Sequence, residues 1–119
     1  MSALRNHAAL HLPASYMKQL ANSNGGEGDL GVNPGWIALW PAEDVISTNA
    51  GYEIQKWLPG FFGFGSNGGG ELLAFDLRDG EPYPIVIVPL IPLDPNEAIQ
   101  IARSFDELRE LIGKPYRVT

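Results

Sequence analysis

The chain has 119 residues, a length that fits one domain with one hydrophobic core. It contains no cysteine, which excludes disulfides, thiolate metal sites and thiol nucleophiles. Its 14 acidic and 8 basic side chains give a net charge of -6 without any basic cluster, which argues against nucleic acid as a partner and favours a basic protein.

The apolar segments do not indicate a membrane protein. The longest run, IVIVPLIPL at residues 85–93, contains two prolines and is far shorter than the roughly 20 residues that cross a bilayer. The N-terminal segment lacks the continuous apolar core of a secretory signal, because His7 and His11 interrupt it. We expect a soluble, cytoplasmic protein whose residues 1–119 form a single domain, with residues 1–11 loosely ordered.

The first predicted element is a short helix within LPASYMKQLANSNGG. Pro13 suits its first turn, because the missing N–H would be unpaired there. The apolar residues on one side of this helix are Tyr16, Met17 and Leu20. Left-handed residues at Asn24, Gly25 and Gly26 are predicted to end it, which makes both glycines structural turn residues.

The next segments predict a loop, a strand and a brief helix. Residues 27–35 are acidic and rich in glycine, which is typical of a loop. WIALW, residues 36–40, has the composition of a strand. PAEDVIS, residues 41–47, predicts a brief helix, because Glu43 and Asp44 would lie near the positive end of its dipole. Residues 48–57 have no clear period and are expected to be mostly irregular.

Three strands are predicted in the second half of the chain: FFGFG at 61–65, ELLAFD at 71–76 and YPIVIVPL at 83–90. Their connections are short, so consecutive strands must run antiparallel. Residues 85–88 are apolar without alternation, which indicates a central strand that is covered on both faces.

The last predicted element is a helix over residues 105–112. Ser104 and Glu107 form a capping box, in which the hydroxyl and the carboxylate each accept an N–H of the first turn. Gly113 and Pro115 end the helix. Its buried stripe consists of Phe105, Leu108, Leu111 and Ile112.

A glycine-rich segment, LPGFFGFGSNGGGELLAFDLRDG at residues 58–80, contains the spacing G-x-G-x-x-G. A phosphate-binding loop of this kind leads from a strand into a helix, whereas these glycines lead into ELLAF, which has strand composition. The carboxylate after the last glycine would also repel a phosphate. The segment is therefore predicted to turn one strand into the next, with Gly65, Gly68, Gly69, Gly70 and Glu71 as structural turn residues.

The order of three segments resembles the SUKH superfamily, which includes a fungal regulator of cell-wall synthesis and many bacterial immunity proteins. A Leu-Pro starts a helix that ends in Asn-Gly-Gly, a glycine-rich turn precedes an acidic residue and a strand, and Ser-Phe introduces a closing helix. The resemblance covers about residues 12–112, and Glu71 stands where the family often has Asp. These segments are LPASYMKQLANSNGGEG, LPGFFGFGSNGGGELLAFDLRDGEPYPIVIVPL and IARSFDELRELIG.

The resemblance implies an α+β fold, with a mixed, mostly antiparallel sheet of about five to six strands and helices packed against it. It also implies a non-catalytic binding module: an immunity protein that neutralises a bacterial toxin by direct binding. The alternative is a regulatory or scaffold domain that binds a cellular protein of its own host.

The residues offer little for catalysis. His7 and His11 would need a helix and a carboxylate to hold a metal, and no other histidine could act as a base. Ser66 lacks the strand-to-helix turn and the histidine partner of a nucleophile. Asp76, Asp79 and Glu81 are better explained as turn and strand-end residues than as a cation site. We therefore predict no enzymatic activity, no catalytic or metal-binding residues and no cofactor.

Binding is better supported, because carboxylates lie near tryptophans in the sequence. Carboxylates accelerate the encounter with a basic protein and select its orientation, and aromatic side chains supply desolvated contacts. We predict a protein partner, a basic toxin domain, and no nucleic acid or membrane. The predicted partner-binding residues are Glu27, Asp29, Trp36, Glu43, Asp44, Glu53 and Trp57.

Overall fold

The computed structural model describes residues 12–115, so His7, His11 and the segment predicted to be loosely ordered lie outside the described residues. Within 12–115 the helices are α1 (Ala14–Asn22), α2 (Ala42–Gly51), α3 (Ile54–Trp57) and α4 (Phe105–Leu111), with a 3-10 turn at Pro95–Glu97. The strands are β1 (Gly26–Asp29), β2 (Trp36–Leu39), β3 (Phe61–Ser66), β4 (Glu71–Asp76), β5 (Ile85–Pro89) and β6 (Ile99–Ala102).

The six strands form one sheet in the order β1-β2-β3-β4-β5-β6, and every neighbouring pair is antiparallel. The predicted α+β class is confirmed. In the described part of the chain, no helix combines the length and the apolar character needed to span a membrane.

Strand β5 is covered on both faces, as its unbroken apolar sequence predicts. Ile85 and Ile87 belong to one buried cluster, together with residues of α1 and α4. Val86 and Val88 point to the opposite face and join a second cluster that includes α3 residue Ile54. The sheet therefore separates two apolar layers, and β5 pairs with β4 on one side and β6 on the other.

Four aromatic rings of the larger layer pack against one another. Tyr16 of α1 meets Phe64, Phe75 and Phe105 edge-on, with ring centroids 5.1–5.5 Å apart. This geometry is the favourable one for aromatic pairs. The Tyr16 hydroxyl is buried and has no hydrogen-bond partner within residues 12–115, and burial raises the pKa of this phenol.

Helix α4 begins at the predicted cap, but the second bond of the capping box differs. Ser104 Oγ accepts a hydrogen bond from the Glu107 N–H at 3.1 Å. The Glu107 carboxylate accepts from the Arg103 N–H at 3.2 Å and from Arg103 Nε at 2.8 Å, rather than from the N–H of Ser104. These bonds hold the pKa of Glu107 below its usual value.

The expectation that residues 48–57 are irregular is wrong. Helix α2 continues to Gly51, and α3 follows after Glu53, whose backbone is left-handed with a φ of 54°. Asn49 is buried within α2 and bonds to β3, so tertiary contacts stabilise a helix that local propensity does not favour.

Strand β1 corrects the prediction of a loop over residues 27–35, and β6 was not predicted. Both strands lie at edges of the sheet, where one pairing partner suffices and side chains stay exposed. Asn24 is also not left-handed. Its side-chain oxygen instead accepts from the Ala42 N–H at 2.7 Å, at the start of α2, whereas Gly25 and Gly26 have the expected positive φ of 89° and 123°.

Candidate protein-binding surfaces

Three of the predicted partner-binding residues share one face of the β1-β2 pair. Asp29 lies directly opposite Trp36, and Glu27 lies opposite Ala38. Because opposite residues of antiparallel strands project to the same side, Glu27, Asp29 and Trp36 all project from one face of the pair. Glu27 and Asp29 are exposed, whereas Trp36 is half-buried. We name Glu27, Asp29 and Trp36 the acidic edge.

The glycine turn between β3 and β4 supports the Trp36 ring. A β-carbon added at Gly68 would stand 2.5 Å from an indole carbon, so the ring lies directly on the glycine backbone. Trp36 is therefore partly a packing residue, and its free area is smaller than an exposed tryptophan would offer.

The same turn satisfies its own amides, and no helix follows it. Asn67 Oδ1 accepts from the Gly69 and Glu71 N–H groups at 2.9 and 3.1 Å, and Ser66 Oγ accepts from the Gly68 N–H at 3.2 Å. Asn67 Nδ2 donates to the Glu71 carboxylate at 2.9 Å. The N–H groups of Gly68, Gly69 and Glu71 are thus occupied, and Gly70 leads directly into β4.

Glu43 and Asp44 are exposed in the first turn of α2. Asn24 Nδ2 donates to Glu43 Oε2 at 2.8 Å, and this bond is the main cause of a Glu43 pKa below the usual value. Asn24 lies two residues before β1, so its two side-chain bonds connect the acidic start of α2 with the start of β1.

Glu53 and Trp57 lie in a different setting. Lys56 Nζ is 3.5 Å from a Glu53 oxygen and 5.0 Å from the centre of the Trp57 ring. Trp57 lines a depression of about 270 Å³ whose other lining residues are apolar or aromatic. We name this site the apolar depression; its residues are Tyr52, Trp57, Leu90, Ile91, Pro92 and Leu93.

Sequence reasoning included Trp57 in the partner surface but missed the other five residues of the apolar depression. The sequence contained one indication of this site. Ile91 lies just after a buried strand and directly before a proline, where an apolar side chain has few sheet residues to pack against. Of the predicted partner-binding residues, only Trp57 lines the depression, so the predicted residues do not form one surface.

Asp76, the last residue of β4, makes an ion pair with Arg78. Arg78 donates from Nε and Nη2 to the two oxygens of Asp76, both at 2.9 Å, which lowers the pKa of Asp76. Arg78 also lies over the Phe61 ring, 4.6 Å from its centre. Residues 12–115 contain no group of three His, Cys, Asp or Glu side chains placed to hold a metal ion.

The fold is an α+β module, in which helices lie on the faces of a six-stranded antiparallel sheet. It carries two candidate contact surfaces, the acidic edge and the apolar depression. A family model matches residues 3–110: the SMI1 / KNR4 family (SUKH-1). The chain belongs to this family. The search of curated proteins found no match.

Proposed function

We propose that the protein is a non-catalytic binding module of a bacterial cytoplasm, and that it neutralises a cognate toxin by direct contact. The family match over residues 3–110 carries this proposal, since immunity proteins are common among bacterial members of the superfamily. The partner is a basic protein domain, which fits the net charge of -6.

The acidic edge and the start of α2 support a charge-steered encounter. Glu27, Asp29, Glu43 and Asp44 are all exposed, and all four carboxylates carry a negative charge at neutral pH. Exposed charges that are not engaged in buried pairs act mainly on the association rate.

The test is co-expression with the toxin domain encoded beside the gene of this chain. Growth should be restored, and the two proteins should purify together. If cells die at the same rate with and without this chain, the immunity proposal fails for that pair. A housekeeping gene neighbourhood, with rescue absent, would instead favour the regulatory or scaffold role.

A matched pair of charge variants then tests the surface. Neutralising the four carboxylates named above as amides should slow association at low salt and flatten its salt dependence. An unchanged association rate would place the contact elsewhere. The control removes the same charge from exposed positions outside both surfaces: Asp79→Asn, Glu81→Gln, Asp106→Asn and Glu110→Gln.

A further inference from the structure

The apolar depression exposes large side chains that the fold does not need on its surface. The exposed fractions are 46 % for Tyr52, 52 % for Trp57 and 92 % for Ile91. Ordinary surfaces carry scattered apolar residues, but here three large ones line a single concavity. The clustering indicates a contact site.

The walls of the depression are held in place before any partner arrives. On one side, Leu90 and Leu93 pack against the second buried cluster, and the Leu90 N–H donates to the Gly70 carbonyl at 2.8 Å. Beyond Leu93, the Asp94 carboxylate accepts from the Asn96 N–H at 2.9 Å and caps the 3-10 turn. A preformed site costs less conformational entropy on binding.

The charges of the two segments that build the depression identify the partner. Residues 52–58 and 90–98 carry three acidic side chains, Glu53, Asp94 and Glu97, and one basic side chain, Lys56. Glu53 pairs with that lysine, which leaves Asp94 and Glu97 uncompensated. A second copy of this chain would bring the same excess of negative charge in these segments, and an anionic membrane would also be repelled. A cationic protein surface is the complementary occupant.

The Trp57 indole already accepts an ammonium group, since Lys56 Nζ stands 5.0 Å from its ring centre. A lysine or arginine of a partner would make the same kind of contact by replacing Lys56 on this ring. Tryptophan and tyrosine are also the side chains that most often dominate the affinity of protein interfaces.

We propose that the apolar depression binds an aromatic or branched aliphatic side chain flanked by lysine or arginine on the toxin surface. This inference rests on the proposed function for the identity of the partner. Ile91 and Trp57 contact the inserted side chain, and the carboxylates of Asp94 and Glu97 attract the flanking cations.

A phage-displayed library of random peptides, panned on the full chain, tests the chemistry without the toxin. Enriched peptides should carry lysine or arginine beside an aromatic or branched aliphatic residue. Their affinity should fall about tenfold for Ile91→Ser and for Trp57→Ala. Ile99→Ser is the matched control, because Ile99 is 56 % exposed on β6 and does not line the depression, and it should change the affinity less than about twofold.

The inference fails if no peptide enriches, if the enriched peptides lack basic residues, if they bind Ile91→Ser as well as the parent chain, or if the chain forms a dimer that Ile91→Ser dissociates. Flotation with vesicles that contain anionic phospholipid should show no binding, and binding that depends on Ile91 would also contradict it. Failure of growth rescue with the toxin domain concerns the proposed function alone, because the peptide measurement does not use that protein.

Discussion

Replacing Asn49 should remove a large share of the stability of this domain. The side chain is 3 % exposed and makes four hydrogen bonds. Its Nδ2 donates to the carbonyls of Val45 at 2.7 Å and Gly63 at 2.8 Å. Its Oδ1 accepts from the Gly63 N–H at 2.9 Å and from Gln55 Nε2 at 3.2 Å.

The position of Gly63 makes these bonds costly to lose. Strand β2 pairs with β3 only at Ala38 and Leu39, so Gly63 lies beyond the end of that pairing. The Asn49 amide therefore supplies the donor and the acceptor that a longer β2 would have provided. In Asn49→Ala, both polar groups of Gly63 lose this partner in a buried site.

Each lost bond is worth roughly 1 kcal/mol net, and a buried unpaired group costs about 1–3 kcal/mol. We expect Asn49→Ala to lower the free energy of unfolding by about 3–5 kcal/mol, a large part of the roughly 5–15 kcal/mol that holds such domains folded. Equilibrium urea unfolding, followed by circular dichroism, measures the change. Asn96→Ala is the control, because Asn96 is exposed and its bond to Asp94 uses the backbone amide that alanine retains.

Asn49→Asp tests the direction in which the loss of stability changes with pH. Its carboxylate would face two carbonyl oxygens, so its pKa in the folded protein should rise above the unfolded value of about 3.9. With a raised folded pKa, the loss in free energy of unfolding relative to the parent chain is full at pH values above the folded pKa. This loss shrinks as the pH falls through the folded pKa towards the unfolded pKa. A loss below about 1 kcal/mol for Asn49→Ala, or a deficit for Asn49→Asp that does not depend on pH, would refute this reasoning.

Three further changes test single features of the fold by the same unfolding measurement. Tyr16→Phe should raise the free energy of unfolding by about 1 kcal/mol, because it removes a buried hydroxyl without a partner among residues 12–115; a loss would contradict that account. Gly68→Ala should lower the free energy of unfolding by about 1 kcal/mol or more beyond the effect of Gly80→Ala, since both glycines have a φ of 79° but only Gly68 adjoins an indole ring. Equal losses for the two variants would show that the indole ring moves aside. Asp76→Asn should reduce the fall in the free energy of unfolding at acid pH, because Arg78 depresses the pKa of Asp76. The stabilisation by Asp76 is full above about pH 3.9 and is lost as the pH falls through the folded pKa. If the acid side of the stability–pH curve were unchanged in Asp76→Asn, the ion pair would contribute nothing to stability.

The elements that sequence reasoning located well carry their signals within a few adjacent residues. Ser104, Phe105 and Leu108 of α4 are an example, because the hydroxyl that caps the helix and the apolar residues that bury its face lie within one turn or two. Strand β5 is another, since four consecutive apolar residues have few alternatives to a strand that is buried on both sides.

The elements that it missed depend on partners that are distant in the chain. Strand β1 contains two glycines and two carboxylates, and it is a strand only because Trp36–Leu39 offers a free edge. Helix α2 extends past Thr48 because Asn49 bonds to Gly63, fourteen residues further along. Neither pairing can be recognised from local composition, so propensity alone assigns both β1 and the end of α2 to loops.

The same contrast between local and distant partners applies to the two candidate surfaces. The acidic residues near Trp36 could be grouped from sequence because β1 and β2 are neighbours along the chain. The apolar depression joins α3 to the segment after β5, and its position depends on where that segment leaves the sheet. Because Leu90 and Leu93 pack against the second buried cluster, Ile91 between them is directed outward. The exposure of Ile91 is thus a consequence of packing on either side of it, and the same packing leaves the apolar depression open.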